Sequence, residues 1–547
     1  MASSNFIAAQ NVLKTIIKKG CFTPSFLAIL KRRAAKSSKN KFLTDAELLS
    51  FYHGLVRRKS VEKNASLENL LRRRAVRTLS GVAPVTVLTQ PFPCPGKCLY
   101  CPDEPGLPKS YLKNEPAASR AWMSGFDPFK QVKVRLKALR DNGHPTDKIE
   151  LIVLGGTWSA YPKKYQYWFI KECFRAANAE NSKFKNPSPT GKQKKSKIKG
   201  KIQNLINSLK QEQRKNEKAK NRIIGLTLET RPDFISLAEI KTMRDLGCTR
   251  VELGVQSVYD EILNANRRGH SVAQTAAATK LLKNASFKIN HHIMLNLPGS
   301  TPAHDLKVFK TLFSDARFQP DLLKIYPCVV LKTAPLYRLW RQGKYRPYSE
   351  KQLVNLLIKI KKIIPPYVRI QRIVRDIPKQ DIVAGSQTSN LRQLIADSGK
   401  KQCRCIRCRE IRGRYKSTDE IKFFRLDYPA SGGQEIFLSY ESPDQKKLYA
   451  LLRLRLPEPE AQTLPVLKNA ALIRELHTYG ELVPVGQKDK QKTQHTGLGK
   501  KLMAKAERIV KAETDYQKIA VIAGIGVRGY YQKLGYSLKE EYMVKKI

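Results

Sequence analysis

The sequence predicts an α/β protein: a partial parallel (β/α) barrel, a second and smaller α/β unit behind it, and a small basic helical module in front. Three observations predict this. Short β-rich runs alternate with helix-compatible stretches across residues 81–375. A new pattern of hairpin, strand, glycine-led helix and strand fills residues 416–547. Residues 1–80 carry apolar residues at helical spacing among 17 Lys/Arg and only 4 Asp/Glu.

In the first module, Ile7, Val12, Leu13 and Ile16, then Phe26, Leu27 and Leu30, recur at helical spacing. The basic runs Lys31-Arg32-Arg33 and Arg72-Arg73-Arg74 lie among them. One such run is an ordinary solvated helix face, whereas several on one short module favour phosphate contact. The barrel strands are expected at 85–88, 149–154, 223–228, 250–255, 288–294 and 322–326, with function at their C-terminal ends. Residues 181–222, with 14 Lys/Arg and 2 Asp/Glu, interrupt the series and read as a basic surface insertion. Residues 376–415 read as a linker. Beyond it, a hairpin (436–439 with 448–454), a strand at 471–476, a helix from Gly497 and a strand at 519–522 complete the last unit.

The 547 residues suffice for two or three domains. Lys+Arg number 102 against 46 Asp+Glu, a net charge of +56. Such a chain repels itself when compact, and a polyanion that gives up counterions is the natural compensation. A thermophilic surface bias would raise the acids as well. No apolar run reaches membrane-spanning length, and the first residues lack a signal-peptide pattern. A soluble cytoplasmic chain with reduced, clustered thiols and no membrane partner is therefore expected.

Cys94, Cys98 and Cys101 stand in Phe-Pro-Cys-Pro-Gly-Lys-Cys-Leu-Tyr-Cys-Pro, a C-x3-C-x2-C spacing. Structural zinc and electron-carrying 4Fe-4S centres take four protein ligands. A 4Fe-4S cluster held by three thiolates keeps one iron open. That is the arrangement of enzymes that reductively cleave S-adenosylmethionine (SAM) to a 5′-deoxyadenosyl radical. A zinc site with a distant fourth ligand is the alternative. Gly155, Gly156 and Thr157 close the second strand, where glycine lets backbone approach a ligand such as the SAM amino group. Glu229 closes the third and is suited to the SAM ribose; Gln256, at the fourth, joins this set. Cys403, Cys405 and Cys408 form a second group in the linker, read as a structural zinc staple, with a second iron–sulfur cluster as the alternative.

Near the end, Gln494, His495, Thr496, Gly497, Leu498, Gly499 and Lys500 lead into an amphipathic helix. A glycine turn at a helix start offers N–H groups to a pyrophosphate. With Tyr530 and Tyr531 before Gln532-Lys533-Leu534-Gly535-Tyr536, the unit resembles acetyltransferases of the GNAT class. That resemblance assigns the turn to acetyl-CoA and one of the two tyrosines to the thioester, the other to the core.

The joint occurrence of these motifs resembles the catalytic subunit of Elongator, a family of tRNA uridine modifiers, over roughly residues 60–547. The motifs are the cysteine loop at 94–102, Gly-Gly-Thr-Trp at 155–158, Leu-Glu-Thr-Arg-Pro-Asp at 228–233 and Glu-Leu-Gly-Val-Gln-Ser at 252–257. Asn-Leu-Pro-Gly at 296–299, Gln-His-Thr-Gly-Leu-Gly at 494–499 and Tyr-Tyr-Gln-Lys-Leu-Gly-Tyr at 530–536 complete them. The resemblance implies a radical-SAM barrel with a GNAT domain, and carboxymethylation at carbon 5 of the wobble uridine. Acetyl-CoA would be the acyl donor, and the anticodon stem-loop would be held by the basic module. The cysteine spacing and the lysine-rich insertion depart from the eukaryotic form and imply a prokaryotic type, stand-alone or homodimeric. A lysine acetyltransferase with a structural barrel is the competing reading, with Glu475 its candidate base.

Overall fold

Seven parallel strands make the first sheet of this computed structural model, which describes residues 3–37, 42–72, 78, 81–179, 201–398, 403–412, 418–480 and 497–547. They begin with β1 (Ala83–Leu88), β2 (Lys148–Leu154), β3 (Arg222–Thr230), β4 (Arg250–Gln256), β5 (Lys288–Leu295) and β6 (Leu322–Pro327). A two-residue strand β7 (Val330–Leu331) follows, then β8 (Arg369–Arg372) and β9 (Ile382–Ala384). The sheet order is β1-β2-β3-β4-β5-β6-β8, all parallel, and β7 pairs with β9 in a separate ribbon. The six expected strands are present. The seventh, Arg369-Ile370-Gln371-Arg372, lies in the β-rich run 367–374, which was not among the expected strands, and is placed by pairing with β6.

Period-two alternation decides what the barrel holds. On β2, Ile149, Leu151 and Val153 are buried against the outer layer, while Lys148, Glu150, Ile152 and Leu154 line an interior cavity. A closed barrel fills this space with branched apolar side chains. Here the inner faces carry Glu150, Arg250, Glu252 and Lys324 instead.

The outer layer includes part of the stretch expected as an insertion. Ile202–Asn216 is a helix packed on the helix Lys163–Asn178 through buried Leu205 and Leu209, and Asn216 Nδ2 donates to Asn178 Oδ1 at 2.7 Å. Leu205 and Leu209 lie on one helical face, which is why the segment docks and does not stand alone. Residues 181–200 of that stretch lie outside the described residues.

The N-terminal helices Ser3–Lys19, Pro24–Ser37, Asp45–Arg57 and Ala65–Leu71 share a small core of their own around Leu13, Leu48, Leu49 and Tyr52. Thr44 and Glu47 form a capping box at the start of the third helix. Arg72 Nε donates to the Gly143 carbonyl at 2.9 Å, joining this module to the barrel.

The C-terminal sheet comprises β10 (Lys422–Pro429), β11 (Gly433–Glu441), β12 (Leu448–Pro457), β13 (Ala470–Thr478), β14 (Lys518–Val521), β15 (Ser537–Lys539) and β16 (Tyr542–Lys546), ordered β10-β11-β12-β13-β14-β16-β15. Its one parallel pair is β13 with β14, and it covers only Ala470–Ile473 against Lys518–Val521. The rest of β13 runs on without β14 beside it. A register shift in the β12–β13 pairing sits where the two part.

One apolar core runs without a break through barrel and C-terminal unit. Two glycines fix how closely they meet. A Cβ at Gly524 would stand 2.0 Å from the Ile224 carbonyl oxygen, and one at Gly526 would stand 2.6 Å from Arg222 Cβ. The turn after β14 therefore lies directly against the start of β3. A buried ion cluster completes the junction: Arg474 donates to Asp321 of the barrel and at 2.8 Å to Glu435, with Arg453 and Lys283 close by.

Candidate functional site

The cysteine loop follows β1 and is held from both sides. Leu99 N donates to the Asn266 carbonyl and Leu336 N to the Leu99 carbonyl, while Lys109 Nζ donates to the Gly96 carbonyl at 3.2 Å. Space at Gly96 is short: a Cβ there would be 2.8 Å from Arg231 NH1, 3.5 Å from Cys98 Sγ and 3.6 Å from Cys94 Sγ, so a side chain would displace the Arg231 guanidinium. Arg268 NH1 lies 3.5 Å from Cys98 Sγ, and Thr157 Oγ1 lies 3.8 Å from Cys94 Sγ. Burial, and next the neighbouring Cys98, push the Cys101 thiol up to about 12. That thiol keeps its proton until a metal displaces it.

Buried polar atoms with no hydrogen-bond partner among the described residues gather around this loop: Tyr100 Oη, Arg231 NH1, Gln256 Oε1 and both ring nitrogens of His270. Buried polar groups are ordinarily paired, so the set describes a cradle shaped for a polar guest. Arg231 is held by Asp233 at 2.8 and 2.7 Å and by the Gly269 carbonyl, which leaves NH1 facing the loop. Two buried cations beside three thiols suit an anionic thiolate-bound cluster.

The two cysteine groups differ in size. Zinc–thiolate bonds of about 2.3 Å place tetrahedral sulfurs about 4 Å apart. The Cys403, Cys405 and Cys408 sulfurs all lie within 4.8 Å of one another and form the single such group among the described residues. The Cys94, Cys98 and Cys101 sulfurs do not all lie within that distance of one another, which suits ligands to separate irons of one cluster.

The remaining strand-end residues have distinct surroundings. Gly155 faces Thr89, whose Oγ1 would be 1.7 Å from a Cβ there, so this glycine serves strand packing. Gly156 has φ +88° and open space except for the Lys109 carbonyl. Gln256, also at positive φ, leaves its Oε1 unpaired beside the loop. Glu229 faces inward: Tyr111 donates to it at 2.8 Å, and His292 Nδ1 stands 3.6 Å away. Behind His292 come Glu252 at 3.0 Å and Lys324, which also donates to Glu252. Burial opposes ionisation of Glu252, but Lys324, His292 and Arg250 overcome it and hold the carboxyl well below the usual range.

The interior cavity, about 1710 Å³, extends from the inner faces of β1 and β2 to the C-terminal unit. There it is lined by Leu476, His477 and Thr478 of β13, by Gly497, Gly499 and Lys500, and by Tyr530. Gly497, at φ +75°, caps the helix Leu498–Glu513, whose N-terminal end faces this space. Tyr530 Oη would be 3.1 Å from a Cβ at Gly499, and Tyr531, 7 % exposed and part of the core, also lines the cavity, so both tyrosines border it. Gln494, His495 and Thr496 lie outside the described residues. The sequence signals missed the interior charges Glu150, Arg250 and Lys324, because a charged residue inside a β-run reads as solvent-facing.

A parallel half-barrel with a three-cysteine loop after its first strand defines a radical SAM protein, and residues 93–312 match the Radical SAM superfamily, with 320–401 matching the Radical_SAM C-terminal domain. The chain is 44% identical over 480 residues to the tRNA uridine(34) acetyltransferase of Dehalococcoides mccartyi (strain CBDB1), covering 86% of this chain and 98% of that one. It is 38% identical over 493 residues to the Elongator complex protein 3 of Homo sapiens, covering 87% and 86%. The solved structure of "The archaeal Methanocaldococcus infernus Elp3 with N-terminus deletion (1-46)" matches with a TM-score of 0.71 at 40% identity, over 85% of this chain and 99% of that one. The chain belongs to the Elongator complex protein 3 family. No helix among the described residues is long and apolar enough to cross a membrane.

Proposed function

We propose that this protein carboxymethylates carbon 5 of the wobble uridine in tRNA, using acetyl-CoA and SAM. The observation that carries the reading is one continuous cavity, joining the barrel interior to the open end of the β13–β14 cleft. When bound, a 4Fe-4S cluster and SAM supply the 5′-deoxyadenosyl radical that takes a hydrogen from the acetyl methyl group. Cys94, Cys98 and Cys101 would hold the cluster; Gly156, Thr157 and Gln256 would hold SAM, with Arg231 and Arg268 offsetting the thiolate charge. The N–H groups at Gly497–Lys500 would receive the acetyl-CoA pyrophosphate, aided by the helix dipole. Tyr530 borders the cavity beside that turn, where the thioester would lie. Cys403, Cys405 and Cys408 would carry zinc between the two units. The excess of basic residues supplies the attraction for tRNA.

The competing reading, lysine acetylation, needs a general base. Glu475 is a poor one: burial would raise it, but Lys288 and Arg453 hold it at about 2. The test is anaerobic purification, iron–sulfur reconstitution, and incubation with SAM, acetyl-CoA, a reductant and tRNA. The expected products are 5′-deoxyadenosine and a tRNA heavier by the carboxymethyl group. Unchanged tRNA mass, or absence of 5′-deoxyadenosine, would falsify the reading. Cys98→Ala should abolish both products while acetyl-CoA still binds.

A further inference from the structure

The linker cysteines are interleaved with arginines: Cys403-Arg404-Cys405-Ile406-Arg407-Cys408-Arg409-Glu410-Ile411-Arg412. The fold sorts these arginines into two sets. Arg409 pairs with Glu441, and Arg404 donates to Gln445 at 2.8 Å. Arg407 and Arg412 instead line the interior cavity, together with Arg369 of β8. One carboxylate, Glu410, stands among these three. Its Oε2 accepts from Arg369 at 2.5 Å and its Oε1 from Arg412 at 2.9 Å, so both oxygens are occupied. Among the described residues, no carboxylate accepts a hydrogen bond from Arg407. Its NH1 donates to the Gln371 carbonyl at 3.3 Å, and its buried Nε has no partner. Arg412 NH2 also donates to the Arg407 carbonyl at 2.8 Å, which fixes the two side chains on one short turn. The nearby thiols do not account for this excess. The cations beside them are Lys361 and Arg392, the latter donating to the Ile370 carbonyl.

Three guanidinium groups with one shared carboxylate, on a wall of a cavity, make a site short of negative charge. Planar forks of this kind match phosphate oxygens. The site lies beside β8, one of the two edge strands of the parallel sheet, and the other edge strand, β1, also borders the cavity. The acetyl-CoA pyrophosphate already has a separate candidate seat at Gly497–Lys500. We propose that Arg407 and Arg412, with Arg369 behind them, bind a backbone phosphate of the RNA whose base enters the barrel. The second cysteine group then acts as the rigid base of an RNA contact as well as a staple. This rests on the tRNA reading above and names a contact within it.

The test is binding of an anticodon stem-loop to the full chain, purified anaerobically, measured by fluorescence anisotropy across a salt series. Acetyl-CoA binding is measured in parallel. The Arg407→Gln, Arg412→Gln double variant should bind the stem-loop about tenfold more weakly at low salt. The slope of log affinity against log salt should become shallower by about 0.7 for the lost single-strand phosphate contact. Arg407→Lys should keep the slope. Melting curves report whether the variants fold; Arg412→Gln, at a side chain 36% exposed, carries the test alone if the double variant does not. Unchanged stem-loop affinity and slope would overturn the inference. So would a loss confined to acetyl-CoA binding, which would place the coenzyme's phosphate here. A parent chain that does not bind the stem-loop overturns the tRNA reading itself, and this inference with it.

Discussion

His291 shows how a single side chain makes stability depend on pH. It is fully buried on β5, with Nε2 3.2 Å from Thr279 Oγ1 and Nδ1 without a hydrogen-bond partner. Burial, and next the Lys283 ammonium, lower its pKa to about 3. An unfolded histidine titrates near 6.5. Between these values the unfolded chain takes up a proton that the folded chain refuses, so stability falls as pH drops from about 6.5 towards 3, by about 1.4 kcal/mol per pH unit for this group. Melting temperatures of the metal-free chain between pH 7 and 4 should fall accordingly, and His291→Gln should flatten the decline. An equal slope in both chains would assign the effect elsewhere. Cys94, Cys98 and Cys101 were legible at this scale because their spacing is local. The partners that surround them, Arg231 and Arg268, come from distant strand ends.

At the level of elements, the turn after β14 is as important as the strands it connects. Gly524 and Gly526 meet backbone and Cβ atoms of β3 that have no room to yield. Gly524→Ala should cost about 1–3 kcal/mol by overpacking, and should loosen the C-terminal unit enough to speed proteolysis between the two units. Gly529, in the short helix that follows, is the internal control. A Cβ there meets nothing closer than Gln532 Oε1 at 3.9 Å, so Gly529→Ala should be neutral or stabilising by up to about 1 kcal/mol. Equal behaviour of the two variants, measured by denaturant unfolding, would contradict this account of the junction. Glycines at 497 and 499 could be read in the sequence from their position before an amphipathic helix. Those at 524 and 526 could not, because the atoms that exclude a side chain belong to residues 222–224.

Across the whole molecule, the barrel and the C-terminal unit are held in register by Asp321. It accepts from the Ile289 N–H at 2.9 Å and from Arg474, with Arg453 at 3.6 Å and Lys283 at 4.0 Å. Arg474 belongs to β13, so this one carboxylate ties the strand beside the β13–β14 cleft to the barrel. Asp321→Asn leaves three buried cations with too little counter-charge and should destabilise by about 3–5 kcal/mol. An Asp321→Leu, Arg474→Leu pair should cost less than the sum of the single changes, because it removes both charges together. Additive losses in calorimetry would show that the pair is not coupled. Salt should leave this cluster largely unaffected while weakening any RNA contact on the surface, since screening acts on exposed charge.

The β/α series, the three-cysteine loop, the glycine turn before the last long helix and the excess of positive charge are all readable from the residues alone. Each is a local pattern or a sum over the chain, and neither depends on where distant residues meet. It took the folded chain to show that β8 closes the sheet order, that Gly155 packs while Gly156 stays open, and that Arg407 has no carboxylate hydrogen-bonded to it among the described residues. The fold also decided that barrel and cleft share one cavity. Those outcomes turn on contacts between residues tens to hundreds of positions apart, which packing and charge pairing select and no short motif encodes.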